Sequence, residues 1–376
     1  MRPFSLLIKP AGPDCNLACR YCFYACKSDL FGDGRHRMSE ATAEVMVRDY
    51  LGLGLEMSSF AWQGGEPTLM GLEFFEKVVE LQKRYGRDAQ RVSNALQTNA
   101  TLLDDRWCEF LARYQFLVGI SLDGPAEIHD HYRRDHADRG SFDRVMKAIE
   151  CCRKHGVEFN ILVLIHDRNV ERADDLFDFF TAQKFGFLQL IPCAEIDPTT
   201  GQMAAYSIDG PRYGRFLCRM FERWMAYGPT KLSVRLFDSI LSYALGRGQT
   251  ECTLGPLCND YIVIEHNGQA YCCDFFVEPD YLLGNIHDTP IDQLAGSPRK
   301  RAFGEDKRQI ANKCLVCRYL DVCRGGCPKD RLVRGKGLTA ESWFCEGYKT
   351  FFDKALGHLR GMAAKLQKDT RYSRLK

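Results

Sequence analysis

The sequence predicts an α/β fold: a partial (β/α)6 TIM-like barrel, then a cysteine-rich C-terminal extension and a terminal helix. Three observations lead there. Short apolar runs alternate with amphipathic helical segments over about the first 220 residues, as in β–α units on a parallel sheet. Polar clusters fall where the strands end, at Gln63-Gly64-Gly65-Glu66, Gln97-Thr98-Asn99 and Ser121-Leu122-Asp123, and barrel sites are built at strand ends. After about residue 245 the periodicity stops and cysteines become dense. A doubly wound open sheet would use the same elements. The expected division is a barrel over 1–235 and an extension over 236–376.

The elements follow in order. Residues 4–8 (FSLLI) form an apolar run before Lys9-Pro10, a buried strand. Helical spacing over 39–55 leads to a second strand at Ser59–Trp62, and 72–84 (LEFFEKVVELQKR) is an amphipathic helix. Residues 91–97 are strand, 104–113 helix and 116–121 (FLVGIS) strand. A helix over 141–154 opens at Ser141, a capping residue type. Then come strand 158–164, helix 171–184, strand 187–191 and helix 211–227, with Pro211 at its first position. The strands read as apolar throughout, which predicts burial on both faces. Beyond the loop 246–256, His266-Asn267-Gly268 marks a hairpin between 261–265 and 269–272. Residues 313–345 are rich in Cys, Gly and Arg with little apolar periodicity, so they are expected to fold around metal. Phe352, Leu356, Leu359, Ala363 and Leu366 mark a last helix, and the basic tail is expected to fray.

Composition narrows the chemistry. A net charge of +2 gives no bulk electrostatic case for nucleic acid. The N-terminus lacks the apolar run and cleavage site of a signal peptide. No stretch reaches 18 consecutive apolar residues, so no membrane span is expected. A cytoplasmic location follows, where thiols stay reduced. The 18 cysteines therefore read as metal or iron–sulfur ligands rather than as a disulfide scaffold, for which adjacent pairs such as Cys151-Cys152 are poorly suited.

Cys15, Cys19 and Cys22 form C-x3-C-x2-C directly after the first strand. Three thiolates can hold three irons of a 4Fe-4S cube and leave the fourth iron open. A zinc site would need a fourth ligand, which Cys26 could supply. Later, Cys314, Cys317, Cys323, Cys327 and Cys345 read C-x2-C-x5-C-x3-C-x17-C, preceded by Cys252, Cys258 and Cys273. Zinc fits C-x2-C as well as iron–sulfur does.

The triad inside CRYCFY, with Gly64-Gly65-Glu66-Pro67 after the second strand, resembles the radical S-adenosylmethionine (SAM) superfamily. The late cysteine run resembles the SPASM extension of that superfamily. More closely, LLIKPAG-x2-CN-x2-C-x-YCFY, FAWQGGEPTL-x-GLEFFEK, LQTN, SLDGP-x-EIH, FLQ and CDFF resemble the anaerobic sulfatase-maturating enzymes, from residue 4 to about 355.

The resemblance implies a set of sites. SAM would chelate the open iron and, on reduction, yield a 5′-deoxyadenosyl radical. Gly64 and Gly65 would let backbone approach its amino group and Glu66 would accept from it. Tyr21 and Ala194 would meet the adenine, and Ser121 and Arg133 would hold its ribose and carboxylate. Two auxiliary 4Fe-4S clusters are implied, one on Cys252, Cys258, Cys273 and Cys327, the other on Cys314, Cys317, Cys323 and Cys345. Cys272 competes with Cys273, which is preferred because Asp274 follows it. The remaining cysteines (Cys26, Cys108, Cys151, Cys152, Cys193 and Cys218) read as small buried hydrophobes.

The implied reaction oxidises a cysteine, in some members a serine, within Cys/Ser-x-Pro/Ala-x-Arg of a nascent or unfolded sulfatase to Cα-formylglycine without oxygen. The radical takes hydrogen from Cβ, loss of an electron and a proton gives a thioaldehyde or aldehyde, and water releases sulfide from the former. Asp274 is the candidate base. Tyr24, Gln63, Gln97, Asn99 and Asp123 are candidate contacts to the peptide, although Gln97 and Asn99 could instead tie barrel loops together. A monomer served by flavodoxin or ferredoxin is expected. The alternative function is a SPASM-type maturase that forms a thioether or other crosslink in a ribosomal peptide.

Overall fold

The computed structural model describes residues 3–333, 335 and 337–368. Strand β1 (Ser5–Lys9) is followed by a short helix α1 (Ser28–Phe31) and by α2 (Glu40–Gly52). Then come β2 (Met57–Trp62), α3 (Leu72–Tyr85), β3 (Arg91–Thr98), α4 (Asp105–Arg113) and β4 (Leu117–Ser121). Helices α5 (Ala126–Tyr132) and α6 (Phe142–His155) lead to β5 (Phe159–Ile165), α7 (Ala173–Ala182), β6 (Phe187–Pro192) and α8 (Gly210–Tyr227). The two-residue strand β7 (Ser233–Val234) runs into α9 (Arg235–Ala244). Strands β8 (Tyr261–Glu265), β9 (Gln269–Tyr271) and β10 (Leu282–Asn285) precede α10 (Ile291–Ala295) and α11 (Pro298–Asp306). Three short helices, α12 (Asn312–Leu315), α13 (Leu320–Cys323) and α14 (Pro328–Leu332), precede the long α15 (Cys345–Lys368). The basic residues 369–376, expected to fray, lie outside the described residues.

Local chemistry accounts for the helix starts. Ser39 Oγ accepts from Thr42 N at 3.0 Å, Asp104 Oδ1 from Trp107 N at 2.9 Å and Asp209 Oδ1 from Arg212 N at 2.7 Å. These are N-caps. Asp209 being the cap, Pro211 is the second residue of α8, not the first. Ser141 heads α6 without capping it: its hydroxyl donates to Arg133 O at 2.7 Å. Asp130 Oδ1 takes the cap's role, accepting from Ser141 N and Phe142 N at 2.8 and 2.9 Å.

The chain divides into two compact units. One comprises residues up to Leu122, His129–Asn160 and Cys258–Gly304; the other comprises Asp123–Ile128, Ile161–Leu257 and the residues from Glu305 on. Compactness thus divides the chain differently from the expected boundary at 235/236. The reason is hydrogen bonding: the hairpin β8–β9 pairs with the first strand rather than standing in the extension.

In the first unit the strand order is β10-β9-β8-β1-β2-β3-β4. Strands β1 to β4 are parallel, β8 is parallel to β1, and β9 and β10 are antiparallel additions. The turn closes at Gly268, whose φ of +82° suits glycine. Burial alternates along β2 and β3, as in eBiBiB for β2, whereas β4 and β8 carry three and four consecutive buried residues. The expectation of strands buried on both faces therefore holds for β4 and β8 and is corrected for β2 and β3, whose second face is half-buried or exposed. Behind the packed face Phe60, Trp62, Phe74, Phe75, Trp107, Phe110 and Phe116 form a continuous ring-contact chain. The one indole N–H in this chain that Trp62 brings is satisfied by Asn94 Oδ1 at 3.0 Å, itself paired with Gln82.

In the second unit β5, β6 and β7 are parallel, and helix α9, which the sequence reading passed over, packs against β6. Helices α8, α9 and α15 share Phe221, Trp224, Phe237 and Phe351. Helices α8 and α15 touch backbone to backbone at Gly210, Gly214 and Gly347. The segment 313–345 has a polar centre: Arg331, fully buried, donates to the carbonyls of Gly325, Gln309 and Lys307 at 3.0, 2.8 and 2.9 Å.

A Cβ at Gly347 would lie 2.2 Å from Gly210 O, whereas Gly361 on the same helix has nothing within 4 Å. Gly347→Ala should therefore lower stability by about 1–3 kcal/mol through overpacking. Gly361→Ala should be neutral or raise it by up to about 1 kcal/mol. Denaturant midpoints of the two variants check the pair.

Candidate active site

The register of the first unit gathers polar side chains in one row. Lys9 pairs with Glu265 across β1 and β8, and Gln63 follows Trp62, the partner of Ile8. Asp274, immediately after Cys273, opens a turn of 3-10 helix and meets this row. Lys9 Nζ lies 2.5 Å from Asp274 Oδ1, with Lys9 only 1% exposed, and Gln63 Nε2 donates to Asp274 Oδ2 at 3.0 Å. The same ammonium sits 3.7 Å from the Tyr24 ring centroid, a cation–π contact. The Tyr24 hydroxyl donates to Glu265, and burial, then the Glu265 charge, push that phenol well above its ordinary value. Asp274 is thus a carboxylate held on two sides, with its cation desolvated and its own side chain still 14% exposed.

The loop after β1 carries Cys15, Cys19 and Cys22. Leu17 N and Asn99 Nδ2 both point at Cys15 Sγ, at 3.4 and 3.7 Å. Burial, then the Glu66 charge, push the Cys15 thiol up to about 12, with Cys19 and Cys22 adding to it. A triad of thiolates so placed needs cationic partners, so the donor set fits iron. Cys26 is exposed and directs its thiol to Phe23 O.

The main chain after β2 clamps this loop. Gly65 N donates to Gly12 O at 2.9 Å and Glu66 N to Asp14 O at 2.7 Å. A Cβ at Gly65 would be 2.0 Å from Asp14 O, so the site requires glycine for this approach. Glu66, fully buried, accepts from Thr68 N, Thr68 Oγ1, Thr98 Oγ1 and Asn99 N at 3.0, 2.6, 2.7 and 2.8 Å. It buckles the ends of β2 and β3 together. Asn99 is likewise engaged internally, with Cys15, Asn16 and Thr101. Gln97 is exposed at the end of β3. Arg133 lies over the Tyr21 ring at 5.4 Å, and Ser121 ends β4 half-buried. In the second unit, Asp123 is buried and accepts from Leu164 N at 3.0 Å. Lys329 Nζ donates to the Ala194 carbonyl at 2.5 Å.

The later cysteines fall in both units. Cys258 and Cys273 are in the first. Burial pushes Cys273 up to about 12, with a smaller upward push from Cys258, and Tyr261 OH meets its sulfur at 3.1 Å. Cys272 is fully buried, with its carbonyl taken by Lys300. Cys252 and Cys327 belong to the second unit, Cys252 exposed and Cys327 heading α14. Cys314, Cys317, Cys323 and Cys345 line a single cavity with Tyr319 and Tyr348. Burial raises Cys314, lifts Cys323 to about 12 and lifts Cys345 to about 11. Four half-buried thiols on one cavity fit a cluster with no open iron. Lys9, Glu265, Tyr261 and Arg331 were not found from sequence. A polar residue at a strand's last position was the available signal for Lys9 and Glu265.

Comparison with known proteins follows this geometry. The family description Radical SAM superfamily matches residues 10–180, and the SPASM description, an iron–sulfur cluster-binding domain, matches 256–318. The serine-type anaerobic sulfatase-maturating enzyme of Bacteroides thetaiotaomicron is 35% identical over 97% of this chain and 92% of its own length. The cysteine-type enzyme of Clostridium perfringens is 36% identical over 96% of this chain and 99% of its own. The solved structure of native anSMEcpe with bound AdoMet matches with a TM-score of 0.90 at 36% identity, covering 96% of this chain and 100% of that one. Streptococcus suis SuiB bound to precursor peptide SuiA shares the fold alone, with a TM-score of 0.64 at 20% identity over 92% of this chain and 76% of that one.

Cys345→Ala should lose about four of about twelve irons, and protease should cut faster within 313–345 because cluster binding is folding energy there. Cys26→Ser should leave iron content unchanged. Metal analysis beside limited proteolysis checks both.

Proposed function

The chain belongs to the anaerobic sulfatase-maturating enzymes of the radical SAM superfamily, and on that premise we propose that it oxidises a cysteine or serine in a Cys/Ser-x-Pro/Ala-x-Arg motif of a sulfatase polypeptide to Cα-formylglycine without oxygen. In this reading residues 1–235 serve the radical step and residues 236–376 the auxiliary clusters. The observation that carries the reading is the carboxylate of Asp274, held by Lys9 and Gln63 in the unit that also contains Cys15, Cys19 and Cys22.

When bound, the cluster and SAM supply the radical that removes a hydrogen atom from Cβ of the target. Everything else is assigned to the protein. Cys15, Cys19 and Cys22 hold the first cluster. Tyr21, Gly64, Gly65, Glu66, Ser121, Arg133 and Ala194 form the SAM site in this reading, with Arg133 set by its stacking on Tyr21 and Gly65 by the backbone clamp. Cys252, Cys258, Cys273 and Cys327 hold one auxiliary cluster; Cys314, Cys317, Cys323 and Cys345 hold the other. Asp274 takes the proton from the target sulfur or oxygen. Its place beside Cys273 keeps it next to an electron acceptor, and second-sphere pairing fixes its direction. Lys9 and Gln63 restrain it, so proton transfer needs no side-chain search. Gln97 and Tyr24 are assigned to the peptide, Gln97 being the more accessible. Asn99 supports the Cys15 loop from within its own unit, and Asp123 accepts from Leu164 N in the second unit.

The substrate is a peptide, as in the structure of anSMEcpe with bound AdoMet and Cp18Cys peptide. Among the described residues no helix is long and apolar enough to cross a membrane. We assign the enzyme to the cytoplasm, as a monomer that receives electrons from flavodoxin or ferredoxin and binds no nucleic acid.

The test uses the anaerobically reconstituted enzyme and a synthetic peptide containing Cys-x-Pro-x-Arg. Mass spectrometry should show formylglycine beside deoxyadenosine. Asp274→Asn should keep its iron and still yield deoxyadenosine, while formylglycine falls by roughly 10²-fold or more. Full product in that variant removes Asp274 from the mechanism. Deoxyadenosine formed with some other peptide, and none modified among peptides bearing the sulfatase motif, would move the assignment to a crosslinking peptide maturase.

A further inference from the structure

Among the cysteines of the first unit that take no part in the sites above are Cys108 on α4 and Cys151 and Cys152 on α6. They lie where the two helices pack. Around them stand Asp105, three residues before Cys108, and His155, four residues after Cys151. Those spacings put each pair on one helical face. One ligand atom from each of Asp105, Cys151 and His155 falls within 4.8 Å of the others. His155 Nε2 is 2.6 Å from Asp105 Oδ1, and Cys151 Sγ is 3.8 Å from the same oxygen. Cys108, fully buried, lies outside that 4.8 Å group but adjoins it: its thiol interacts with that of Cys151, and its Sγ is 3.9 Å from Cys152 Sγ.

We propose that Asp105, Cys108, Cys151 and His155 form a zinc site, separate from the iron–sulfur sites, that clamps α4 to α6. The donor set is two sulfurs, one imidazole nitrogen and one carboxylate oxygen, all ordinary zinc ligands, drawn equally from two helices. Zinc is favoured over magnesium or calcium because two of the four donors are soft. In the metal-free arrangement protons take the metal's place. The hydrogen bond between His155 Nε2 and Asp105 joins two future ligands.

Binding forms two zinc–sulfur bonds and releases two thiol protons to solvent. His155 keeps one proton, moved to Nδ1, and coordinates through Nε2. Two thiolates, one carboxylate and Zn2+ leave one net negative charge. Lys154, whose ammonium is 2.5 Å from Asp105 Oδ1, offsets it. The clamp holds the helices that follow β3 and precede β5. It sits apart in function from the radical chemistry, because none of its donors is a cluster ligand.

The experiment takes the cluster-loaded enzyme, adds zinc chloride anaerobically, removes excess by gel filtration and measures zinc and iron together. Wild type should retain about one zinc per chain with its iron unchanged. Cys151→Ser and His155→Gln should each weaken zinc binding tenfold or more in competition with a chelating dye. Cys218→Ser, on α8, should not. Because Asp105 is exposed, Asp105→Asn tests the site without threatening the fold. X-ray absorption at the zinc edge should show two sulfurs at about 2.3 Å and two lighter atoms at about 2.0 Å. Four sulfurs would put the zinc in a cluster-type site and overturn the proposal. So would equal zinc in wild type and all three ligand variants, or no retained zinc in wild type.

Discussion

The first unit is organised by one long-range constraint, the parallel pairing of β8 with β1. It runs without interruption from Ser5–Tyr261 to Lys9–Glu265. Parallel strands cannot be joined by a tight turn; here the connection is most of the chain. Once the pairing forms, much else is determined. The hairpin turn closes β9 onto β8, β9 ends near Cys273, and Asp274 arrives beside Lys9. Side chains alternate along a strand. A slip of one residue would turn Lys9 into the packed face and separate it from Asp274. The register therefore fixes the Lys9–Asp274 contact as well as a sheet.

The cysteine-bearing segments are held by two different physical means. The loop of Cys15, Cys19 and Cys22 is fixed by main-chain contacts. Gly65 and Glu66 donate to Gly12 and Asp14, and the Glu66 carboxylate ties the ends of β2 and β3 with four accepted hydrogen bonds. Such a loop is preorganised before any iron arrives. Among the described residues of 313–345, order comes from the buried guanidinium of Arg331 among carbonyls, with four thiols on one cavity. Each carbonyl left unpaired in such a place costs about 1–3 kcal/mol. In the proposed reading a cluster on those thiols would add to that order, so its loading would be coupled to folding there.

The sequence made the β–α elements legible because each carries a local signal: an apolar run, a helical face or a capping aspartate. The hairpin was legible from Asn267-Gly268. Its attachment to β1 was not, because pairing between residues 5–9 and 261–265 leaves no mark within either window. Helix α9 was passed over although Leu236, Phe237 and Ile240 are suitably spaced and buried. It starts straight from a two-residue strand with no side-chain cap, so it lacked a start signal. Ser141 had the right type for a cap, but a nearer carbonyl took its hydroxyl. Among candidate site residues, the Cys15, Cys19 and Cys22 triad stands out by spacing, while the auxiliary ligands and Asp274 come from the family resemblance. Lys9 read as the polar end of a strand. Only the fold shows that its ammonium is desolvated and aimed at a carboxylate. Glu66 was read as a ligand contact, and most of its hydrogen-bonding capacity is spent inside the protein.

The Lys9–Asp274 pair also constrains the order of events at the target. A free thiol ordinarily titrates near 8.5 and a free carboxylic acid near 4, so outright transfer from thiol to carboxylate opposes about 6 kcal/mol. For a serine hydroxyl the opposition is greater. A carboxylate base is therefore poorly matched to an untouched side chain. It suits a target whose Cβ has already lost hydrogen, where departure of the electron makes the heteroatom proton far more acidic. In the proposed reading Asp274 would take that proton, and a cluster held by its neighbour Cys273 would supply a nearby electron acceptor. The protein's task is to keep the base still until that moment. A charged, desolvated partner on one side and an amide donor on the other do this at less entropic cost than a mobile side chain would require. Lys9 and Gln63 both spend their contacts on the Asp274 carboxylate, so the arrangement carries no feature specific to sulfur or to oxygen. It accords with the near-equal similarity of this chain to serine-type and cysteine-type relatives, at 35% and 36% identity.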